Sequence, residues 1–393
     1  MTIIELPQYV AAIIHTLRRA GYRGYAVGGC VRDALMGRTP SDYDVCTDAL
    51  PEQVQALFEH TIATGERFGT ITVIIGKNSV EVTTFRIDGA YLDNRKPALV
   101  THTARLADDL ARRDFTINAI CYSPEDGLYD PYRGADDIAA GLVRAVGEPD
   151  RRFNEDALRI LRGVRLCASL GFEAESATLL SMIQNAKLLK NISGERIRDE
   201  IIKTIMTHRP EMLNIILMAD GLAHVGLAAA ENIVRLATLP PIVNERLAAL
   251  FMLCAGNIVF AMEALRLSNR EKKVILSIAD ALGKQMIADT VHLKRLLQTH
   301  TIDELLSAVR VKQALYDDNT ALDCVEEIRR IEASNEPYRV AHLAVNGSDI
   351  LALGLFEPQA VGRVLHFLLD CCIGTPALNQ KETLLALAHS YGE

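Results

Sequence analysis

The stretch Gly28 to Asp44, GGCVRDALMGRTPSDYD, decides how the rest of the chain is read. Paired glycines follow the apolar run Tyr25, Ala26 and Val27, a short helix-like segment passes through Val31, Arg32 and Asp33, and Asp42-Tyr43-Asp44 closes the stretch. Side chains alternate faces along a strand, so Asp42 and Asp44 are expected on the same side. Two carboxylates so placed can bridge two divalent cations ~3.5–4 Å apart, the spacing that clamps the attacking and leaving oxygens of phosphoryl transfer. Gly28 and Gly29 let backbone N–H groups approach a phosphate, the helix start adds its positive end, and Arg32 offers a fork to the same anion. Taken alone, a D-x-D is often a turn or a solvated edge, and Gly-Gly is often only a tight turn. Their order and spacing together shift the balance toward a phosphoryl-transfer site.

A chain of 393 residues is long enough for two or three cores. Near-half hydrophobic content and few aromatics suit a soluble, mainly helical protein. No charged start followed by an apolar run marks a signal peptide. The most membrane-like segment, Leu247 to Met262, falls short of the ~20 apolar residues needed to span and is interrupted by Gly256-Asn257, so two core helices meeting at a turn are expected there. Eight scattered cysteines form no C-x-x-C and have no histidine partner at zinc-ligand spacing, which fits a reduced, cytoplasmic protein. The net charge of −8 means that any nucleic-acid contact uses a local basic surface rather than the global field.

In chain order, Pro7 to Ala20 reads as a core helix stopped by Gly21, and Pro51 to Phe58 as a second helix. Ile71 to Ile75 and Val80 to Arg86 read as two strands around Gly76-Lys77-Asn78-Ser79, a hairpin signal. Glu81 interrupts the apolar pattern while Val80, Val82 and Thr84 take the other face. It is either the solvated side of an edge strand or a third carboxylate beside the D-x-D. The polar segment within Ile87 to Leu106 is too long for an ordinary hairpin connection.

Phe153 to Leu166, FNEDALRILRGVRL, is the second informative stretch. Ala157, Ile160, Leu161 and Val164 follow the template of a helix with one buried stripe. Asp156, Arg159, Arg162 and Arg165 recur every three residues along another face, and a solvated charge ladder is the plain reading of that pattern. Nucleobase chemistry offers a sharper one. Cytosine and adenine each present an amino donor beside a ring-nitrogen acceptor, which a carboxylate next to a guanidinium complements. Guanine and uracil present the reverse order and would leave buried groups unpaired. Asp156 with Arg159 could therefore select C and A without a template. Further on, Ser193 is expected to cap a helix with Ile197, Ile201 and Ile205 on its core side, and the chain from about Pro210 onward is a succession of amphipathic helices. Basic clusters such as Lys187 with Lys190, Arg196 with Arg198, Lys272-Lys273 and Lys294-Arg295 are candidates for tRNA-backbone contact, but a solvated face is the preferred reading of each, and no binding residue is assigned there.

The combination from Gly28 to Asp44 resembles the head motif of the nucleotidyltransferase superfamily. With Arg112-Arg113-Asp114-Phe115-Thr116-Ile117-Asn118, Asp130-Pro131-Tyr132-Arg133-Gly134, Glu155-Asp156…Arg159 and Asn346-Gly347-Ser348-Asp349, it resembles the class II CCA-adding tRNA nucleotidyltransferases and bacterial poly(A) polymerases. The resemblance implies an α+β chain: a polymerase-β-like mixed sheet with helices, then an all-helical region. Its implied parts are a catalytic head at 1–147, a neck with the base-recognition helix at 148–209, a body at 210–335 and a tRNA-binding tail at 336–393. It implies Asp42 and Asp44 as ligands of Mg2+, with Glu81 as a third catalytic carboxylate. Gly28, Gly29, Arg32 and Arg113 would hold the triphosphate, Asp114 would accept from ribose hydroxyls, and Asn118 belongs to the same nucleotide-binding set. Asp156 and Arg159 would pair with the base, and Arg162 and Arg165 would contact the nucleotide.

The segment after Ile87 is similar to the flexible loop of CCA-adding enzymes, which argues against addition of C alone. Gly134 would supply a turn between head and neck. The expected reaction adds C, C and A to the tRNA 3′ end from CTP and ATP, with no DNA or membrane partner and with the oligomeric state open. A poly(A) polymerase is the alternative. Its Arg-rich run after the D-x-D is replaced here by Ala63-Thr64-Gly65-Glu66-Arg67-Phe68-Gly69-Thr70-Ile71, a departure that favours CCA addition. A catalytically silent RNA-binding protein is the further alternative. Cys30 stands where the family more often has alanine.

Overall fold

The structure is a computed structural model that describes residues 4–65, 69–89, 91–92, 96–97, 100–318 and 320–392. Contacts divide it into two units, Met1–Ala230 with Glu263–Arg266, and Glu231–Met262 with Leu267–Glu393.

The first unit is built on a mixed sheet, seven-stranded among the described residues. Its strands are β1 (Gly24–Val27), β2 (Asp44–Thr47), β3 (Thr61–Gly65), β4 (Thr70–Ile75), β5 (Asn78–Thr84), β6 (Cys121–Ser123) and β7 (Gly127–Tyr129), in the order β7-β6-β1-β2-β5-β4-β3. All pairings are antiparallel except β2 with β5, which run parallel with Asp44 opposite Glu81. Alternation sorts the strand side chains into two cores. Ala26, Val45, Ile71, Val73, Val80 and Val82 face α1 (Gln8–Arg19), α2 (Gly29–Leu35) and α3 (Pro51–Leu57), whereas Tyr25, Val27, Cys46 and Cys121 face α4 (Leu106–Ala111). Helix α1 buries Val10, Ile13, Ile14 and Leu17, the stripe its sequence spacing predicts.

The β4–β5 hairpin turns on Gly76-Lys77 alone, since Ile75 pairs with Asn78. Because β5 is flanked by β2 and β4, Glu81 lies on an interior strand, and the edge-strand reading of it falls away. Past β5, Arg86–Asp88 pairs antiparallel with Val100–His102. The remainder of the expected flexible loop includes residues 90, 93–95 and 98–99, which lie outside the described residues, as do Glu66, Arg67 and Phe68 of the run that was set against the poly(A) polymerase pattern.

Gly134 starts α5 (Gly134–Ala140), but the left-handed turn is made by Arg133, at φ 57°. The glycine is required by proximity instead: a Cβ there would lie 2.2 Å from the Thr116 carbonyl oxygen. Asp130 closes the turn by accepting from the Gly134 and Ala135 N–H groups, both at 2.8 Å.

The helix expected from Phe153 to Leu166 is two helices, α6 (Pro149–Glu155) and α7 (Leu158–Leu170). Asp156 separates them in an extended conformation, and its carboxylate accepts from the Leu158 N–H at 3.1 Å, capping α7. A short acceptor that satisfies a helix start competes with helix continuation, which is why the periodic apolar pattern alone did not reveal the break. Ala157, Ile160, Leu161 and Val164 are buried as the spacing predicts. After α8 (Ser176–Asn185) comes α9 (Gly194–Ile205), with Ser193 at the cap position and Ile197, Ile201 and Ile205 buried; the Ser193 side chain makes no capping bond.

The second unit is helical. Val243–Cys254 ends before Gly256-Asn257 and a new helix begins at Ile258, the two-helix outcome expected there; among the described residues no helix is long and apolar enough to cross a membrane. Asn346 and Asp349 form a reciprocal capping box on Gly347–Leu351, so this element has a local structural reason to exist. Val361–Gly374 buries Val361, Val364, Leu365, Leu368 and Leu369 as its pattern predicts. Lys294 leaves the set of candidate RNA contacts, because it is fully buried and paired with Glu336 at 2.7 Å. All eight cysteines are unbridged thiols, and only Cys371 reaches the surface in part.

Replacing Gly134 by alanine is expected to cost about 1–3 kcal/mol, because a backbone carbonyl cannot yield to the new methyl as a side chain can. Urea unfolding of Gly134→Ala should show a lowered midpoint at unchanged slope, with Gly76→Ala, whose Cβ meets nothing within 4 Å but whose φ of +62° is strained, as the comparison.

Candidate active site

A cleft of about 490 Å³ in the first unit gathers side chains from the sheet and from the segments that follow it. Its sheet wall carries Val27, Asp44, Val45, Thr70, Glu81 and Thr83, and its opposite end carries Asp156, Arg159, Arg162 and Arg196, with Arg113 and Asp114 also lining it. Asp44 and Glu81 share a face because the parallel register sets them side by side on neighbouring strands. Asp44 is open to the cleft solvent, yet protein crowds it from below. That burial first, and then the neighbouring charges of Glu81 and Asp42 against the counter-pull of Arg113, raise its pKa to about 6.

Asp42 precedes β2 rather than lying on it, is exposed, and accepts from the Ser41 hydroxyl at 3.0 Å. Asp42 thus lies just outside the strand it was expected to share with Asp44, and is near enough for its charge to act on Asp44. Among the described residues no group of three or more His, Cys, Asp or Glu side chains is gathered to hold a metal on its own.

Arg113 stands beside Gly28: a Cβ at Gly28, where φ is +80°, would meet its Nη1 at 3.2 Å. This is the position at which a side chain would both strain the backbone and displace the guanidinium. Asp109 on α4 anchors the two arginines that follow it, Arg112 at 2.6 Å and Arg113 at 3.3 Å. Burial alone would raise the Asp109 pKa, but Arg112 and Arg113 together hold it below the usual carboxylate range. Arg32 donates to Asn118 Oδ1 at 2.7 Å and to Asp33 at 2.9 Å, and Gly29 lies next to the Arg32 guanidinium. Cys30 is a spectator, its thiol pushed up to about 11 by burial.

Asp114 and Asn118 are built into the wall. Asp114 Oδ2 accepts from Arg162 Nε and Nη2 at 2.7 and 2.6 Å, while Oδ1 accepts from the Phe115 N–H at 2.8 Å and from Asn118 Nδ2 at 3.3 Å. Burial works against its charge, but Arg162 and then Arg159 overcome it and hold Asp114 well below the usual carboxylate range.

At the far end, Asp156 and Arg159 both line the cleft but are not paired with each other in the way their spacing suggests. Asp156 takes Arg196 Nη2 at 2.8 Å, whereas Arg159 donates to Glu155 at 2.8 Å and to the Arg112 carbonyl at 2.9 Å. Asp156 sits at the break between α6 and α7 and Arg159 in the first turn of α7, so they are held from two directions rather than from one continuous helix. Arg165 does not line the cleft; it pairs with Glu200 of α9 at 2.7 Å. The reading from sequence missed Asp109 and the pairing roles of Glu155 and Arg196. Asp109 had a signal, since Asp at i−3 and i−4 to Arg112 and Arg113 is the spacing of helical ion pairs. Arg196 had none, because its partner is 40 residues away in sequence.

Residues 24–144 match the family described as Poly A polymerase head domain, and residues 171–229 the family described as Probable RNA and SrmB- binding site of polymerase A. A CCA-adding enzyme of Lactobacillus helveticus is 46% identical over 191 residues, a match that spans about half of each chain, 49% of this one and 48% of that one. A CCA-adding enzyme of Lactiplantibacillus plantarum is 33% identical over 402 residues, covering 99% of this chain and 98% of the relative. The crystal structure of the Bacillus stearothermophilus CCA-adding enzyme in complex with CTP superposes with a TM-score of 0.85 at 32% identity, covering 98% of this chain and 97% of that one. With near-complete alignments in both sequence and fold, and with the mixed sheet and helical remainder already described, this chain belongs to the CCA-adding enzyme family of nucleotidyltransferases.

Proposed function

We propose that this protein extends the 3′ end of tRNA with C, C and A, using CTP and ATP and releasing pyrophosphate, and that it does so in the cytoplasm. One observation carries the reading: a single cleft holds a pair of carboxylates in register, Asp44 and Glu81, at one end and an acid with guanidinium groups, Asp156 with Arg159, Arg162 and Arg196, at the other. In our reading the head, neck, body and tail correspond to residues 1–147, 148–209, 210–335 and 336–393, the tail meeting tRNA.

The carboxylate end suits a divalent cation. Burial first, and then the charges of Glu81 and Asp42, make ionised Asp44 costly without a cation, and Mg2+ is commonly held by one or two carboxylates with substrate phosphates completing its shell. Asp44 and Asp42 would hold Mg2+, which when bound supplies Lewis acidity to the α-phosphate and the attacking oxygen. Arg113, Arg32 and the backbone of Gly28 and Gly29 would hold the triphosphate, so that the tRNA 3′-hydroxyl meets the α-phosphorus in line. A carboxylate oxygen of Glu81, exposed beside Asp44, would take the hydroxyl proton. At the other end Asp156 would accept from the exocyclic amino group of cytosine or adenine. Arg159 would donate to the adjacent ring nitrogen by turning one N–H away from its present acceptors. Asp114 keeps Arg162 in place beside them, and Asn118 does the same for Arg32.

The direct test offers the purified protein tRNA trimmed by one, two or three 3′ residues with single nucleotides. Addition of C, C and one A followed by arrest is expected; long A tails would instead support a poly(A) polymerase.

Asp44→Asn should slow extension by at least about a hundredfold. The same change should raise thermal stability when no divalent cation is added. A folded-state pKa raised to about 6 makes Asp44 contribute stability that is present at low pH and lost as pH rises through about 6, and asparagine removes that loss. For activity the sign reverses. Extension should fall as pH drops below about 6, with the limb moving to lower pH as Mg2+ is increased, since protons and cation compete for one carboxylate.

Asp156→Ala should lower the preference for CTP over UTP, measured as the ratio of kcat/KM values, by about a hundredfold, because the acceptor that a uracil carbonyl repels is gone.

A further inference from the structure

Arg113 stands beside the paired carboxylates and is anchored elsewhere. Its Nη1 lies against Gly28, the residue after Val27, and Val27 pairs with Asp44 across β1 and β2. Arg113, Asp44 and Glu81 line the same cleft. Among the described residues the one hydrogen bond of Arg113 runs from Nη2 to Asp109 Oδ2 at 3.3 Å, and its Nε is buried with no partner. A guanidinium carries five N–H donors, so most of this fork is uncommitted within the protein, next to an acid that could take it.

Asp109 holds it from the other side. That carboxylate is fully buried and does not line the cleft. Its Oδ1 accepts from Arg112 Nε and Nη2 at 3.0 and 2.6 Å and from the Arg86 N–H at 3.3 Å, which leaves Oδ2 to Arg113. The place of Asp109 is thus fixed by contacts other than the one to Arg113. Burial works against the charge on Arg113, and of the carboxylates that support that charge Asp109 acts more strongly than Asp44. Two acids therefore compete for one guanidinium, and the buried one, in the lower dielectric, keeps it.

We infer that Asp109 is a positioning residue that keeps Arg113 off Asp44, so that the carboxylate pair stays open to a divalent cation. With Asp109 in place, the free donors of Arg113 remain beside Gly28, on the phosphate side of the cleft. Without it the guanidinium has no partner behind it, and the acid in front becomes its replacement. A cation must then displace a charge-assisted bond before Asp44 can hold it.

This inference rests on the reading of Asp44 as a cation ligand, and the test separates the two. Mn2+ binding to the nucleotide-free, full-length protein is titrated for the wild type, Asp44→Asn, Asp109→Asn, Arg113→Ala and the double variant Asp109→Asn/Arg113→Ala. If Asp44→Asn binds Mn2+ as tightly as wild type, the underlying reading is overturned, and the inference with it. Given a loss in Asp44→Asn, Asp109→Asn is expected to weaken Mn2+ binding by about tenfold or more, the scale of a hydrogen bond to a charged group. Arg113→Ala should bind Mn2+ at least as tightly as wild type. The double variant should match Arg113→Ala, because the guanidinium that would move onto Asp44 is gone. Unchanged affinity in Asp109→Asn overturns the inference. So does an equal loss in the double variant, which would reduce Asp109 to a support of the fold. If Asp109→Asn does not fold, Asp109→Asn with Arg112→Gln decides, since it removes both members of the shorter ion pair and leaves Arg113 in place. Mn2+ affinity equal to wild type in that protein overturns the inference.

Discussion

Two like charges on adjacent strands are the constraint around which the first unit is arranged. Parallel pairing of β2 with β5 sets Asp44 opposite Glu81, and the sheet cannot relieve their repulsion without giving up the register that buries Val45, Val80 and Val82 on the other face. The hydrophobic side of these strands thus enforces an unfavourable arrangement on the polar side. A protein stores such tension where a cation will later discharge it.

The arginines of the cleft follow a contrasting rule: carboxylates in it or behind it are matched to guanidinium groups. Asp109 serves Arg112 and Arg113, Asp114 serves Arg162, Glu155 serves Arg152 and Arg159, and Asp156 serves Arg196. Such pairing spends little of each arginine's charge on solvent and fixes where each fork lies. It also reconciles a net charge of −8 with a site for polyanionic substrates, since the arginines that matter are concentrated by partners on neighbouring elements and not by the composition of the whole chain.

Much of this was legible in the sequence because it was local. The stripes of α1, α7 and α9, the β4–β5 hairpin and the alternation that turns Glu81 outward all follow from spacing within a few residues. The parts that were not legible depend on distant partners or on competition between two local preferences. Asp156 satisfies both an apolar helical pattern that continues through it and a cap that interrupts the helix, and the cap prevailed. Asp42 fits an alternating strand on paper, but β2 begins two residues later. Gly134 looked like a turn glycine, whereas Arg133 takes the left-handed conformation and the glycine yields space to the Thr116 carbonyl. The N-G-x-D element, quoted from sequence only as part of the resemblance, has a structural role as the capping box that starts a short helix.

The burial of the thiols bears on how this protein can be handled. Seven of the eight cysteines are enclosed, Cys30 in the core beneath α2, and Cys371 alone has partial access to solvent. A maleimide dye or spin label applied to the native protein would accordingly find one address, on the helix Val361–Gly374 and outside the first unit. The unmodified chain thus comes with a single chemical handle, and no cysteine need be removed before a reporter is attached.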